Sequence, residues 1–147
     1  MGYGTAEYKA LLESPYLPLM NKGLAGMYPP GSTFKMVVGM AAVEAGIDPA
    51  NRVFCPGHYS LGSHDFHCWK KGGHGAVNLH DAIKHSCDVY FYEIAKRVGI
   101  DSIAKIAKLF GLATNHPLPV SAISKGLIPT TAWKRKICPQ TSVPCCS

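Results

Sequence analysis

Ser32 and Lys35 stand three residues apart in the run Tyr28-Pro29-Pro30-Gly31-Ser32-Thr33-Phe34-Lys35. A serine hydroxyl becomes a nucleophile when a nearby base takes its proton, and a desolvated lysine, its pKa lowered, can act as that base. Residues i and i+3 share a helix face, so a helix opened by this run sets the amine over the hydroxyl. The unpaired N–H groups of a helix start also favour a developing alkoxide. From Phe34 to Gly46 the chain reads F-K-M-V-V-G-M-A-A-V-E-A-G, apolar on nearly every face. That pattern predicts a core helix, where a lysine is out of place unless it serves the serine. Spacing alone does not decide, because a capping serine with a chance lysine one turn on looks the same. Ser102-Ile103-Ala104-Lys105 repeats the pattern within I-A-K-I-A-K-L-F, an amphipathic stretch whose lysines are expected to face water.

A second cluster, Ser86-Cys87-Asp88, falls between two expected helices. Ser86 is placed to relay a proton between Lys35 and a leaving group, and Asp88 to hydrogen-bond and orient Lys35. The plainer reading of Asp88 is a helix N-cap. A third set, Cys55, Cys68, His74 and Cys87, offers three thiolates and an imidazole, the donors zinc favours in a closed tetrahedron. Its intervals of 12, 5 and 12 residues are unlike a compact Cys-x-x-Cys site, so a disulfide or inert buried thiols stay open beside zinc. His58, His64, His67, His80, His85 and His116 read as solvated, with His64 or His67 as substitute ligands.

The elements that must hold these residues are legible in outline. Residues 5 to 27 read as helix or loop broken by Pro15 and Pro18, and the Ser32 helix is expected to stop at Gly46. Residues 51 to 79 are turn-rich, with short strands expected at Arg52–Cys55 and Phe66–Trp69. Helices follow from Asn78 or Leu79 to His85, from Asp88 to Gly99, and from Asp101, as N-cap, to Phe110. The 147 residues suit one domain, and 47% apolar with 16% charged residues suits a globular core. The net charge of +6 lacks a concentrated basic run, which argues against nucleic-acid binding. No stretch reaches the roughly 18 apolar residues of a membrane span, and the start lacks the regions of a signal peptide. Taken literally, that predicts a soluble, untargeted chain.

The run ending at Lys35, and Ser86-Cys87-Asp88-Val89-Tyr90-Phe91-Tyr92, resemble the first two motifs of the penicillin-binding transpeptidases. With Cys68-Trp69-Lys70-Lys71-Gly72-Gly73-His74-Gly75 and the Gly126 to Trp133 stretch, the chain is similar to the elongation-type class B penicillin-binding proteins over residues 7–112 and 125–136. The resemblance implies an α+β fold: the mainly helical N-terminal part of a β-lactamase-like transpeptidase domain, with an incomplete sheet. It implies that Ser32 attacks a D-Ala-D-Ala stem peptide, Lys35 takes its proton, Ser86 protonates the departing D-alanine, and a second stem peptide's amine completes the cross-link in peptidoglycan. β-Lactams would acylate Ser32 instead. Either Asp or Asn is usual at the Asp88 position. Relatives in this branch can carry zinc at positions like the four above, with Asp in place of some cysteines. The resemblance also implies a periplasmic protein anchored to the inner membrane and working in a membrane-associated cell-wall elongation complex.

The family's third motif, Lys-Thr-Gly or a close variant, is missing. It carries one oxyanion donor and part of the substrate cleft, and losing one such donor costs about 10²–10³ in rate. An inactive or barely active fragment is therefore expected. Residues 113–123 read unlike the family, and after Lys136 the pattern is lost. A frameshifted, truncated product accounts for this, giving a partial transpeptidase domain over 1–136 and an unrelated, disordered tail over 137–147. Two other functions fit parts of the pattern: a zinc-stabilised interaction module without catalysis, and a β-lactamase-type serine hydrolase.

Overall fold

The computed structural model describes residues 4–115, 117, 119 and 123–137. The expected tail lies outside them apart from Ile137, as do His116 and the three cysteines near the C-terminus. The chain forms two units, one of residues 1–29 with 114–126 and one of residues 30–113 with 127–147.

The first unit holds α1 (Thr5–Glu13) and α2 (Lys22–Ala25), separated by the turns around Pro15 and Pro18. Asn21 caps α2 by accepting from the Gly23 N–H at 3.1 Å. Ser124 returns to this helix, its N–H donating to Leu24 O at 2.9 Å and its hydroxyl to Ala25 O at 2.8 Å.

The second unit carries the core and every candidate site residue. A 3₁₀ turn at Gly31–Phe34 runs directly into α3 (Lys35–Glu44). Then come β1 (Val53–Cys55), β2 (His58–Leu61), β3 (His64–His67), β4 (Gly75–Val77), α4 (Leu79–Lys84), α5 (Asp88–Val98), α6 (Ile100–Leu109) and α7 (Thr131–Ile137). β1 pairs with β4 antiparallel, Val53 opposite Val77 and Cys55 opposite Gly75. β2 and β3 form a separate hairpin closed around Gly62, whose positive φ of 61° suits a two-residue turn. Helices and small antiparallel sheets together give the α+β fold the sequence predicts.

α3 buries Val37, Val38, Ala41 and Ala42 against α5 and α6, the i, i+1, i+4, i+5 set of one helical face. Gly39 on the same helix lets Leu79 of α4 pack closely, since a Cβ there would lie 3.1 Å from Leu79 Cδ1. α5 supplies the largest fully buried side chains, Tyr90 and Ile94. Each is worth about 1.5–3 kcal/mol in apolar burial. The all-round core helix expected at α3 is corrected: Met36 is 60% exposed and Met40 53%. Among the described residues one face of α3 packs on α5 and α6, and the opposite face has no covering layer.

Two element boundaries also differ from expectation, and two strands were not expected. α6 is capped by Gly99, not Asp101; Gly99 at φ 83° restarts the chain as a helix immediately. Asp101 is thereby released to hold α7, accepting from the Thr131 N–H at 2.9 Å and the Thr131 hydroxyl at 2.6 Å. The strand expected at Phe66–Trp69 lies earlier, at His64–His67, because the Trp69 N–H leaves the ladder for the Asp88 carboxylate. β2 and β4 went unpredicted: β2 has no inside–outside alternation and β4 is three residues long.

Candidate active site and metal-ligand cluster

The 3₁₀ turn and the first residue of α3 carry Ser32 and Lys35, while the link between α4 and α5 carries Ser86 and the first residue of α5 is Asp88. How α4 ends explains the second pair. The Cys87 N–H bonds to Ala82 O at 2.9 Å and the Ser86 N–H to Ile83 O at 3.1 Å, the crossed pair of a Schellman motif. Ser86 occupies the left-handed position, φ 50°, that glycine ordinarily takes. That strained conformation, costing of order 1–3 kcal/mol, turns both the carbonyl and the hydroxyl of Ser86 toward Lys35.

Lys35 Nζ donates to Ser86 O and Ser86 Oγ, both at 2.9 Å, and to Asp88 Oδ1 at 2.6 Å. Three acceptors match the three hydrogens of an ammonium. The Phe91 ring centroid lies 5.8 Å away, and the Lys35 side chain is 15% exposed. The Ser86 hydroxyl in turn donates to Ser32 Oγ at 3.1 Å. The four residues therefore form one hydrogen-bonded chain, Asp88–Lys35–Ser86–Ser32. The direct Lys35–Ser32 approach expected from i, i+3 spacing becomes an approach through Ser86, because the Asp88 carboxylate draws the amine toward α5. The other Ser-x-x-Lys copy has both Ser102 and Lys105 exposed on α6, as its amphipathic pattern predicts.

Cys55 ends β1, Cys68 follows β3, His74 precedes β4 and Cys87 precedes α5, yet their donor atoms all lie within 4.8 Å of one another. His74 Nδ1 is 3.5 Å from Cys68 Sγ and 3.7 Å from Cys55 Sγ. Tetrahedral zinc with ordinary bond lengths needs S···N separations of about 3.6 Å, so the donor set fits such an ion. Two backbone crossings bring the ligands together. A Cβ at Gly73, φ 73°, would lie 2.1 Å from Cys55 O, and one at Gly57, φ 105°, 2.3 Å from Lys71 O. The three thiols are free and buried, with no disulfide among them.

The electrostatics favour the ligand form of His74 and Cys68 and oppose that of Cys87. Burial, aided by the charge of Lys70, lowers the His74 pKa and favours the neutral imidazole that binds metals. Burial acts to raise Cys68, but the N–H groups of Lys70, Asp88 and Val89 outweigh it and leave the thiol more acidic than usual. Burial pushes the Cys87 thiol up to about 12. His74 Nε2 is buried without a hydrogen-bond partner. Trp69, beside this cluster, escaped the sequence reading as a site residue. Its N–H donates to Asp88 Oδ2 at 3.1 Å and its indole Nε1 to His85 O at 3.0 Å.

Comparison with known proteins follows the same division of parts. The sequence profile described as the penicillin binding protein transpeptidase domain matches residues 3–142. The peptidoglycan D,D-transpeptidase MrdA of Acinetobacter baumannii is 39% identical over 138 residues, 92% of this chain and 20% of that protein. MrdA of Escherichia coli K12 is 35% identical, again over 92% of this chain and 22% of its own length. Among solved structures, PBP2 of Pseudomonas aeruginosa in complex with WCK 5153 superposes with a TM-score of 0.85 at 39% identity, covering 97% of this chain and 33% of that one. PBP2 of Helicobacter pylori gives 0.87 at 32% identity, over 97% of this chain and 27% of that one. The chain thus spans about a fifth of the length of the curated relatives it matches, and the part it spans includes the serine–lysine turn and the Ser-x-Asp junction. By sequence profile, by identity and by fold, this chain belongs to the penicillin-binding protein transpeptidase domain family.

Proposed function

We propose that the chain carries the nucleophile-bearing part of a peptidoglycan D,D-transpeptidase of cell-wall elongation. The observation that supports this most is the unbroken chain of hydrogen bonds from the Asp88 carboxylate through Lys35 and Ser86 to Ser32. Ser32 Oγ attacks the penultimate D-alanine carbonyl of a stem peptide. Lys35, entering as the free amine, takes the proton through Ser86, leaving a tetrahedral adduct on Ser32 and a lysine ammonium. The polarity seen here, with Lys35 donating to Ser86 and Ser86 donating toward Ser32, is that of the next step. Ser86 gives its proton to the D-alanine nitrogen as the C–N bond breaks, which leaves the acyl-serine, and is resupplied by Lys35. The amine of a second stem peptide then attacks the acyl-serine, closing the cross-link and freeing Ser32. β-Lactams enter at the first step and, once their amide bond opens, stop at the acyl-serine.

Cys55, Cys68, His74 and Cys87 hold a structural zinc ion in this reading, supported by their donor types and separations. Bound there, the ion supplies cross-linking of the β1–β4 pair to the start of α5 and no chemistry of its own. The whole protein is periplasmic and anchored to the inner membrane. It works within a cell-wall complex, as a PBP2–MreC complex and a peptidoglycan synthase complex among the structural neighbours suggest. Without the Lys-Thr-Gly strand the chain acylates slowly, by about 10²–10³ for a lost oxyanion donor. Hours-long incubation with a fluorescent penicillin followed by a denaturing gel tests the reading. The expected result is a stable label on the wild-type chain and none on Ser32→Ala. Equal labelling of both, or release of hydrolysed penicillin over many turnovers, overturns it.

A further inference from the structure

We propose that Trp69 is a positioning residue for the Lys35–Asp88 pair, and that its main-chain N–H is what demands a carboxylate at position 88. The proposal rests on the reading above for the reaction, though not for the geometry. Asp88 accepts on both oxygens: Lys35 Nζ on Oδ1 at 2.6 Å and the Trp69 N–H on Oδ2 at 3.1 Å. An asparagine has one acceptor oxygen. With that oxygen turned to Lys35, its NH₂ group meets the Trp69 N–H, donor against donor; flipped, it meets the ammonium in the same way. Asparagine is therefore the wrong residue here, in spite of matching the shape.

The Trp69 N–H is held on Asp88 by the rest of its residue. Trp69 is 65% exposed, so burial does not fix it. Instead Nε1 donates to the carbonyl of His85, the residue before Ser86, at 3.0 Å. The ring also meets His74 edge-on at 5.3 Å between centroids. Trp69 thus ties the turn after Cys68 to both sides of the strained Ser86 position: His85 before it and Asp88 after it. Removing the indole N–H frees that turn to carry its main-chain N–H off Oδ2. The carboxylate then rotates, and Lys35 loses the acceptor that draws it from Ser32 toward Ser86.

Two measurements test this. In the wild-type chain, hydrogen exchange followed by NMR is expected to show both the Trp69 amide and its indole N–H protected, although the residue is largely exposed. Exchange of both at the rate of free tryptophan overturns the proposal without any variant. Trp69→Phe, which keeps an aromatic ring beside His74, is expected to speed exchange of the Lys35 ammonium protons and to lower the penicillin acylation rate, each by roughly tenfold. In the Asp88→Asn background the same change is expected to have little further effect, since the contact it protects is already lost. An unchanged Lys35 exchange rate in folded Trp69→Phe, or equal effects in the two backgrounds, overturns it. If the wild-type chain takes up no penicillin, the transpeptidase reading fails, and the exchange data alone decide on Trp69.

Discussion

At the scale of single residues, the sequence named the four side chains that the structure joins but not the order in which they connect. Ser32, Lys35, Ser86 and Asp88 were legible through the resemblance of their two runs to family motifs, since spacing alone left a capping serine and an N-cap aspartate open. The route through Ser86 was not, because it depends on φ 50° at Ser86, and nothing in the tripeptide signals that a serine holds the glycine place of a Schellman motif. This conformation sets stability against function. Ser86→Gly is expected to raise stability by about 1 kcal/mol, by relieving the left-handed strain, and to lower penicillin acylation at least tenfold. Ser86→Ala keeps the strain, gains no stability and loses the same relay. Thermal melts beside acylation rates separate the two, and equal melting temperatures in Ser86→Gly and Ser86→Ala contradict the account of strain. Trp69 was illegible for another reason: its working group toward Asp88 is a main-chain N–H, which every residue but proline possesses.

At the scale of elements, helices were read well and strands poorly. α4 begins at Leu79 behind its Asn78 cap and α5 at Asp88, as read; the Asn78 side chain accepts from the Asp81 N–H at 2.9 Å, and Gly99 ends α5. The short strands carry almost no periodicity; they bring the donors together, at the end of β1, just after β3 and before β4. With zinc bound to those donors, purified chain is expected to carry one equivalent, lost in Cys87→Ser, and chelation to lower the melting temperature. Gly73→Ala is expected to destabilise by more than about 1 kcal/mol, the usual cost of alanine at positive φ, because its Cβ also meets Cys55 O. Metal analysis and denaturant melts check both, and a metal-free wild-type chain with an unchanged melting curve in chelator counts against zinc. α7 was missed because its partner is remote in sequence. Hydrogen bonds from the Thr131 hydroxyl and N–H hold the Asp101 carboxyl below its usual pKa. A depressed carboxylate pKa means the stabilisation is complete above the unfolded value near pH 4 and is lost as pH falls through the lower folded value. Amide exchange at Thr131–Trp133 is therefore expected to quicken below about pH 4 in wild type. In Asp101→Asn it is expected to be fast at every pH, and a wild-type profile flat down to pH 2 contradicts the assignment.

At the scale of the whole molecule, the fold class was readable and the surface was not. An apolar α3 predicted burial on all sides, whereas Met36, Met40, Leu109 and Phe110 stand exposed along α3 and α6. Periodicity reports the faces a helix prefers to hide, not whether a given stretch of chain holds the elements that hide them. This chain spans about a fifth of the length of its curated relatives. Binding of a hydrophobic dye to the folded chain is expected, and a marked fall in Met40→Lys; absence of dye binding contradicts an uncovered face. The central claim concerns chemistry and can be read at one atom. After prolonged exposure to benzylpenicillin, peptide mapping by mass spectrometry is predicted to find a single adduct on the peptide containing Ser32. The adduct should be unchanged by Ser102→Ala and absent in Ser32→Ala. An adduct elsewhere, or a folded wild-type chain that carries none, contradicts the assignment of Ser32 as the nucleophile.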